Sequence, residues 1–390
     1  MPRWPFSFSQ KSPATAEGAT DSTRNPETAP TTRQAIRRIA FVAVVYLLVF
    51  VPGCALVRHW LPFPEVSMVR EKIEHFIRHG DDYDIIFIGS SRVHSQVIPA
   101  IFDKIAAANG VPVKSYNAGI AGMVSPEDSY VLDQLLRVSH RRLRWVFLEV
   151  QRLRTVLEQE QTSRSAYWHD TTRFLLVARR LFGQAIENQA QLGKESTFSA
   201  RCGVWTTMAG RLCGHARYWF MREINLGCGT EVLVRWLELP GSHEDNGRSS
   251  KEKDAGWSPS RGAIQQMVGE GRARYERAYA DRLAEPAVKD RGDAVSQESL
   301  EHMLAAVAKA GAKAVLIIPP TPVARNFYPT VEREKELTIL DFTDVHQNRE
   351  LFIPEHRIDE DHINTTGAQF FTEDLARRFV ELVKPHPQAP

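Results

Sequence analysis

Three things are scarce in this chain: cysteine, an excess of either charge, and long apolar runs. Four cysteines in 390 residues are too few for a disulfide framework. Lys and Arg total 49 against 47 Asp and Glu, a net charge of +2. Nucleic-acid binders need a basic field, so no nucleic acid is expected as a partner. The one long apolar run lies near the N-terminus, which excludes a multi-span membrane protein. What remains is ordinary for a globular chain, with 43% hydrophobic and 25% charged residues. The length suits about two or three domain-sized units.

Residues 1–35 are rich in Pro, Ser, Thr and Ala. They bury too little apolar surface to offset their ordering entropy, and a disordered cytoplasmic tail is expected. Residues 36–60 are expected to be a transmembrane anchor. Within them, Ile39 to Val57 carries no charge over 19 residues, about 28 Å of helix, close to the hydrocarbon thickness of a bilayer. Arg33, Arg37 and Arg38 precede it. The positive-inside rule then places the tail in the cytoplasm and everything after Arg58 outside. The expected location is the inner (cytoplasmic) membrane, single-pass, with the body periplasmic or extracellular. Two alternatives are a buried core helix and a lipoprotein signal cleaved before Cys54, because Val51-Pro52-Gly53-Cys54 loosely matches a lipobox.

The body alternates strands and helices. Val69, Ile73, Phe76 and Ile77 share one helical face. Asp84 to Gly89 is short, apolar and β-branched, hence a buried strand. A helix with Ile98, Phe102 and Ile105 inward follows, then strands over 113–116 and 145–150. Between them Ser125 is expected to cap a helix with Pro126 in its first turn. The rhythm resumes with a helix carrying Leu300, Met303, Leu304 and Val307, strands over 314–318 and 337–342, and a last helix with Phe371, Leu375, Phe379 and Leu382 inward. Such alternation predicts a parallel sheet covered on both faces. Residues 61–150 and 299–385 are its two parts, 151–298 a helical insertion with helices over 174–182 and 263–284, and 386–390 a disordered end.

Three short motifs fall at one edge of that sheet, where open parallel sheets bind ligands. Gly89-Ser90-Ser91-Arg92 follows the first strand. Asn117-Ala118-Gly119-Ile120-Ala121-Gly122 follows the second. Asp359-Glu360-Asp361-His362 precedes the last helix. This ordered set resembles the SGNH (GDSL-type) hydrolase family. The resemblance covers roughly 81–150 and 300–385. It implies a flavodoxin-like three-layer α/β fold, Ser91 as nucleophile, His362 and Asp359 as its partners, and Gly122 as oxyanion glycine. It also implies the Asn117 turn as an auxiliary. The family's Gly-x-Asn-Asp turn is missing: Gln151-Arg152-Leu153-Arg154 stands there. Gln151 or Arg152 is a candidate substitute donor, or both lie on a surface loop.

The chemistry has its own argument. A serine hydroxyl needs a neighbouring base, a neutral imidazole suits that work, and a carboxylate holds its tautomer. The Ser91 and Gly122 N–H groups are the natural oxyanion donors. The expected activity is a serine esterase or O-acyltransferase on acyl, chiefly acetyl, esters of envelope carbohydrate. No cofactor and no metal are expected. Anchored members of the family imply a multi-span acyl-transporting membrane partner, with the membrane itself contacted through 39–57. The rival readings are a catalytically silent binding or assembly protein and an exported lipase-like hydrolase. Arg92 and His94 either face an anionic substrate or lie on a solvated helix face. Asp361 joins the motif as a metal ligand in one reading. Cys202, Cys213 and Cys228, with His215, read as one disulfide plus a spare thiol or as a zinc site. Tyr167, Trp168, Trp205, Tyr218, Trp219, Phe220 and Trp236 read as core or as a substrate groove.

Overall fold

The structure, a computed structural model, describes residues 32–60, 66–157, 162–193, 196–224, 255–259, 267–285, 289–322 and 326–384. Two compact units divide at Gly53 and Cys54. The first contains most of helix α1 (Thr32–Trp60). This is the one helix, among the described residues, long and apolar enough to cross a membrane. Its apolar window is wholly unburied, so a buried core helix does not describe it. The helix begins at Thr32, inside the segment expected to be disordered, and it continues past Cys54 despite Pro52.

The second unit is built on a five-stranded, all-parallel sheet. Its strands are β1 (Ile85–Ile88), β2 (Ser115–Asn117), β3 (Trp145–Glu149), β4 (Lys313–Ile318) and β5 (Ile339–Asp341). The order is β2-β1-β3-β4-β5, one of the two common orders of doubly wound sheets. Phe87 pairs with Asn117 on one side and Phe147 on the other. Alternation along each strand splits the core in two. Ile86, Ile88, Val146, Leu148, Leu316 and Ile318 face one cluster. Ile85, Phe87, Phe147, Val315 and Ile317 face the other. A strand buried on both faces has no polar side to show, which is why these read as unbroken apolar runs.

Helix α2 (Ser67–His79) and α5 (Glu127–Leu136) cover the first face, together with α10 (Ala294–Lys309). The second face is covered by α4 (Pro99–Ala108) and α12 (Thr365–Val383), while the short α11 (Val331–Glu336) leads into β5. There Phe102 packs edge-on to Phe87 at 5.1 Å, and Phe379 meets Phe102 at 5.4 Å. Each such ring contributes roughly 1.5–3 kcal/mol by burial.

Between β3 and β4 lie α6 (Thr162–Tyr167), α7 (Thr171–Gln191), α8 (Phe198–Ile224) and α9 (Gly269–Ala284). Among the described residues, the elements of this segment are helices. It does not stand apart: Leu176, Val177, Leu181, Tyr218 and Met221 complete the first-face core. Towards its end, Asp293 caps α10 by accepting from the Ser296 backbone N–H at 3.1 Å.

Three local expectations change. Ser125 does not cap α5; Pro126 takes the cap position without a side-chain bond, and the Ser125 hydroxyl turns to Ser299 at 3.5 Å. Leu382 is exposed, one turn beyond the buried run of Phe371, Leu375 and Phe379, because at this end of α12 it is Val383 that packs against the second-face core. Ile98 is the cap residue of α4 rather than part of it. The start of the expected 263–284 helix lies outside the described residues.

Candidate active site

The carboxyl ends of β1, β3 and β4 open into a cavity of about 360 Å³ lined by Ser91, Gly122, Gln151 and His362. Ser91 opens the four-residue helix α3 (Ser91–His94) directly after β1. Its hydroxyl lies 2.7 Å from His362 Nε2, although 271 positions separate the two in the chain. On the other side of the ring, Nδ1 is 2.9 Å from each oxygen of Asp359. A carboxylate only accepts, so Nδ1 carries the hydrogen and Nε2 is left to accept from the Ser91 hydroxyl. Burial opposes the charge on Asp359. The hydrogen bond and charge of His362, with the backbone N–H groups of Asp361 and His362, outweigh it and hold the carboxyl below its ordinary range.

Two buried side chains hold this arrangement, and neither stands out in the sequence. Arg357 is fully buried under the Asp359 loop. It donates to the carbonyls of Leu351 at 2.8 Å, Glu360 at 2.8 Å and Asp359 at 3.2 Å. Glu149, the last residue of β3, accepts from the Ser90 backbone N–H at 2.5 Å and its hydroxyl at 3.0 Å. It also pairs with Arg92 at 2.5 Å. Gly89 must lack a side chain here, because a Cβ would lie 2.4 Å from a Glu149 carboxylate oxygen. Arg92 therefore does not lie on a solvated face; it lines the cavity with its charge met by Glu149.

Gly122 adopts φ +72°, where a side chain would strain the turn. Neither the Ser91 nor the Gly122 backbone N–H has an acceptor among the described residues, and both residues line the cavity. Asn117 does something else. Its amide donates to the carbonyls of Val93 at 2.8 Å and Val97 at 2.7 Å, and its oxygen accepts from the Gly119 N–H at 2.9 Å. It is wholly buried and fastens the Ala118–Gly122 turn to the segment after Ser91. It does not line the cavity.

Gln151 and Arg152 both line the cavity, but differently. Arg152 is drawn to Asp290 at 3.2 Å and Asp293 at 3.5 Å. The Gln151 amide nitrogen is buried with no hydrogen-bond partner, an orphan donor beside Ser91's cavity. Asp361 accepts from the Thr321 hydroxyl at 3.2 Å. No group of three possible metal ligands occurs among the described residues.

Behind the Asn117 turn, the buried ammonium of Lys72 donates to the carbonyls of Asn117 at 2.9 Å, Gly119 at 2.5 Å and Gly256 at 2.8 Å. It also lies 3.0 Å from His94 Nδ1. His94 is thus an interior residue rather than a surface one. Beside Gly122, Arg164 pairs with Glu127 at 3.2 Å, which also takes a hydrogen bond from the Tyr167 hydroxyl. Burial raises Glu127 above its ordinary carboxyl range. Burial likewise pushes Asp128 up to about 7, with the charges of Glu127 and Glu149 adding to it. A run such as Pro126-Glu127-Asp128 gives no hint of interior carboxyls, because its polarity reads as a helix N-terminus.

Among the described residues, no cysteine cluster forms around His215. Cys202 and Cys213 are free, Cys228 lies outside the described residues, and His215 Nδ1 meets His169 Nε2 at 2.8 Å. Of the insertion aromatics, Tyr167, Trp168 and Tyr218 are core. Trp205 and Phe220 are exposed, being on the outer side of α8. Trp219 stacks on Phe174 at 5.4 Å, and Trp236 lies outside the described residues. None of the described ones lines the Ser91 cavity. No family model matches the chain, and no curated protein matches it.

Proposed function

We propose that this chain is a membrane-anchored acyl-transfer enzyme of SGNH type, an esterase or O-acyltransferase working through an acyl-Ser91 intermediate. The observation that carries the reading is the 2.7 Å contact between the Ser91 hydroxyl and His362 Nε2, with Asp359 behind the ring. In the first step the Ser91 oxygen bonds to the ester carbonyl carbon while its proton passes to His362. The carbonyl oxygen, now negative, is received by the Ser91 and Gly122 N–H groups. Collapse breaks the C–O bond, and His362 returns the proton to the leaving alkoxide. In the second step water or a sugar hydroxyl gives its proton to His362 and attacks the acyl carbon, which frees Ser91.

The apolar helix α1 and the arginines before it support a body outside the cytoplasmic membrane, and that location together with the family resemblance favours acyl, chiefly acetyl, esters of envelope carbohydrate as substrates. A multi-span membrane protein delivering acyl groups is the partner such a location suits. A fluorophosphonate probe tests the reading. It should label the full-length protein, and Ser91→Ala should abolish the label. An unlabelled wild-type protein would instead mark the fold as a silent binding or assembly protein, the reading that the missing Asn turn favours.

A further inference from the structure

Among the described residues, Arg92, Arg152 and Arg154 line the Ser91 crevice and Arg164 lies beside Gly122; all but Arg154 are paired with a carboxylate. Arg92 is held by Glu149 at 2.5 Å, Arg152 by Asp290 at 3.2 Å, and Arg164, beside Gly122, by Glu127 at 3.2 Å. Arg154 differs. It lines the same cavity as Ser91 and His362, its side chain is exposed, and no carboxylate pairs with it among the described residues. Its main chain is fixed, because the Arg154 N–H donates to the Ser125 carbonyl at 2.9 Å. The preceding Leu153 is buried, with its own N–H directed to the Ser296 hydroxyl at 3.3 Å. The guanidinium thus rises from an anchored stretch of chain at the wall of the crevice.

We propose that Arg154 is an anion-recognising residue of this crevice and that the ligand turned over at Ser91 carries an acidic oxygen group, carboxylate or phosphate. The inference rests on the acyl-transfer reading for the role of Ser91, but not for the binding itself. An uncompensated guanidinium in a concave site focuses the local field. Its planar fork matches the two oxygens of a carboxylate or phosphate, which an ammonium cannot match. Paired arginines at the same rim contribute little to this, because their charge is already met. For an envelope carbohydrate, the chemistry selected is an acidic sugar unit or a phosphate-bearing one rather than a neutral glycan.

The test uses the full-length Ser91→Ala protein in detergent, so that binding is read without turnover. Calorimetric titration with trigalacturonate, glucose 1-phosphate and the neutral cellotriose separates the carboxylate, phosphate and uncharged cases. One of the two anions should bind at least about tenfold more tightly than cellotriose. The preference should shrink with added salt and be lost when Arg154→Gln is added, while Arg154→Lys retains part of it. Equal affinity for all three ligands overturns the proposal, as does a preference that survives Arg154→Gln. A second arm compares wild-type turnover of 4-acetoxybenzoate and 4-nitrophenyl acetate: the ratio of their kcat/KM values should fall about tenfold or more in Arg154→Gln. Failure of both esters to react, with charge-dependent binding intact, sinks the acyl-transfer reading and leaves the anion site standing.

Discussion

The Glu149 carboxylate, at the last position of β3, lies 2.5 Å from the guanidinium of Arg92, the residue immediately after Ser91. Glu149 is wholly buried and also accepts both hydrogens that Ser90 offers. One carboxylate thus fixes the turn on which the reactive hydroxyl sits. Glu149→Gln should cost about 3 kcal/mol or more, because it leaves a partly buried arginine unpaired. Thermal melting checks the stability loss. Fluorophosphonate labelling checks the turn, and it should slow in the fraction that remains folded.

His362 is set by Asp359 as much as by its distance from Ser91. Asp359→Asn would place an amide where a carboxylate must accept, favouring the wrong tautomer. A loss of about 10⁴ in kcat with intact folding is expected. A single-turnover assay with 4-nitrophenyl acetate would read it. A loss of less than tenfold would argue against the proton path proposed here.

Gln151 and Arg152 make a contrasting pair. The Gln151 amide nitrogen has no partner, whereas Arg152 is held by two aspartates. Gln151→Ala should therefore lower kcat by about 10² or more with little change in KM, as removal of an oxyanion donor does. Arg152→Gln should alter kcat much less. The reverse ranking would show that the third donor is not Gln151.

Lys72 ties α2 to the turn that ends in Gly122, through the carbonyls of Asn117 and Gly119. The next N–H, that of Ile120, donates to the Gly89 carbonyl at 2.8 Å, so the chain of bonds reaches the Ser90–Ser91 turn. Lys72→Met leaves buried carbonyls unpaired, at about 1–3 kcal/mol each. A lower melting temperature and slower labelling of Ser91 are both expected. Unchanged labelling would confine Lys72 to a packing role.

Asp128 supplies a pH signature. Burial pushes its pKa up to about 7 from an ordinary 3.8. Between those values the folded chain holds a proton that the unfolded chain has released, so this group's contribution to stability falls as pH rises through the window and is level above it. Asp128→Asn removes the slope. Relative to wild type, the variant should gain stability between pH 5 and pH 8 by on the order of a few kcal/mol. Denaturant melts at the two pH values measure it, and parallel behaviour of the two proteins would refute the burial argument.

Periodicity alone located the sheet and most of its helices. Strands such as Ile85–Ile88 and Lys313–Ile318 are short, β-branched and apolar throughout, and a strand covered on both faces has no other way to be written. The apolar character of α1 was equally plain, since it depends on composition over a stretch of chain. The Ser91, Gly122 and His362 motifs were visible as motifs, and Asp359 with them, because their turns must follow a strand or precede a helix.

Which side chains meet was not a property of any one segment. Glu149 reads as the polar end of a strand and Lys72 as a surface position on an amphipathic helix. Only the stacking of β3 beside β1, and of α2 under the Asn117 turn, makes each an interior charge with several partners. The same holds for the arginines: Arg92, Arg152 and Arg154 look alike in the chain, and folding supplies carboxylates to the first two. Local pattern decides how a segment coils and which face it buries. Burial and pairing of a charge depend on distances across the fold, and residues 271 positions apart acquire theirs only when the sheet closes around them.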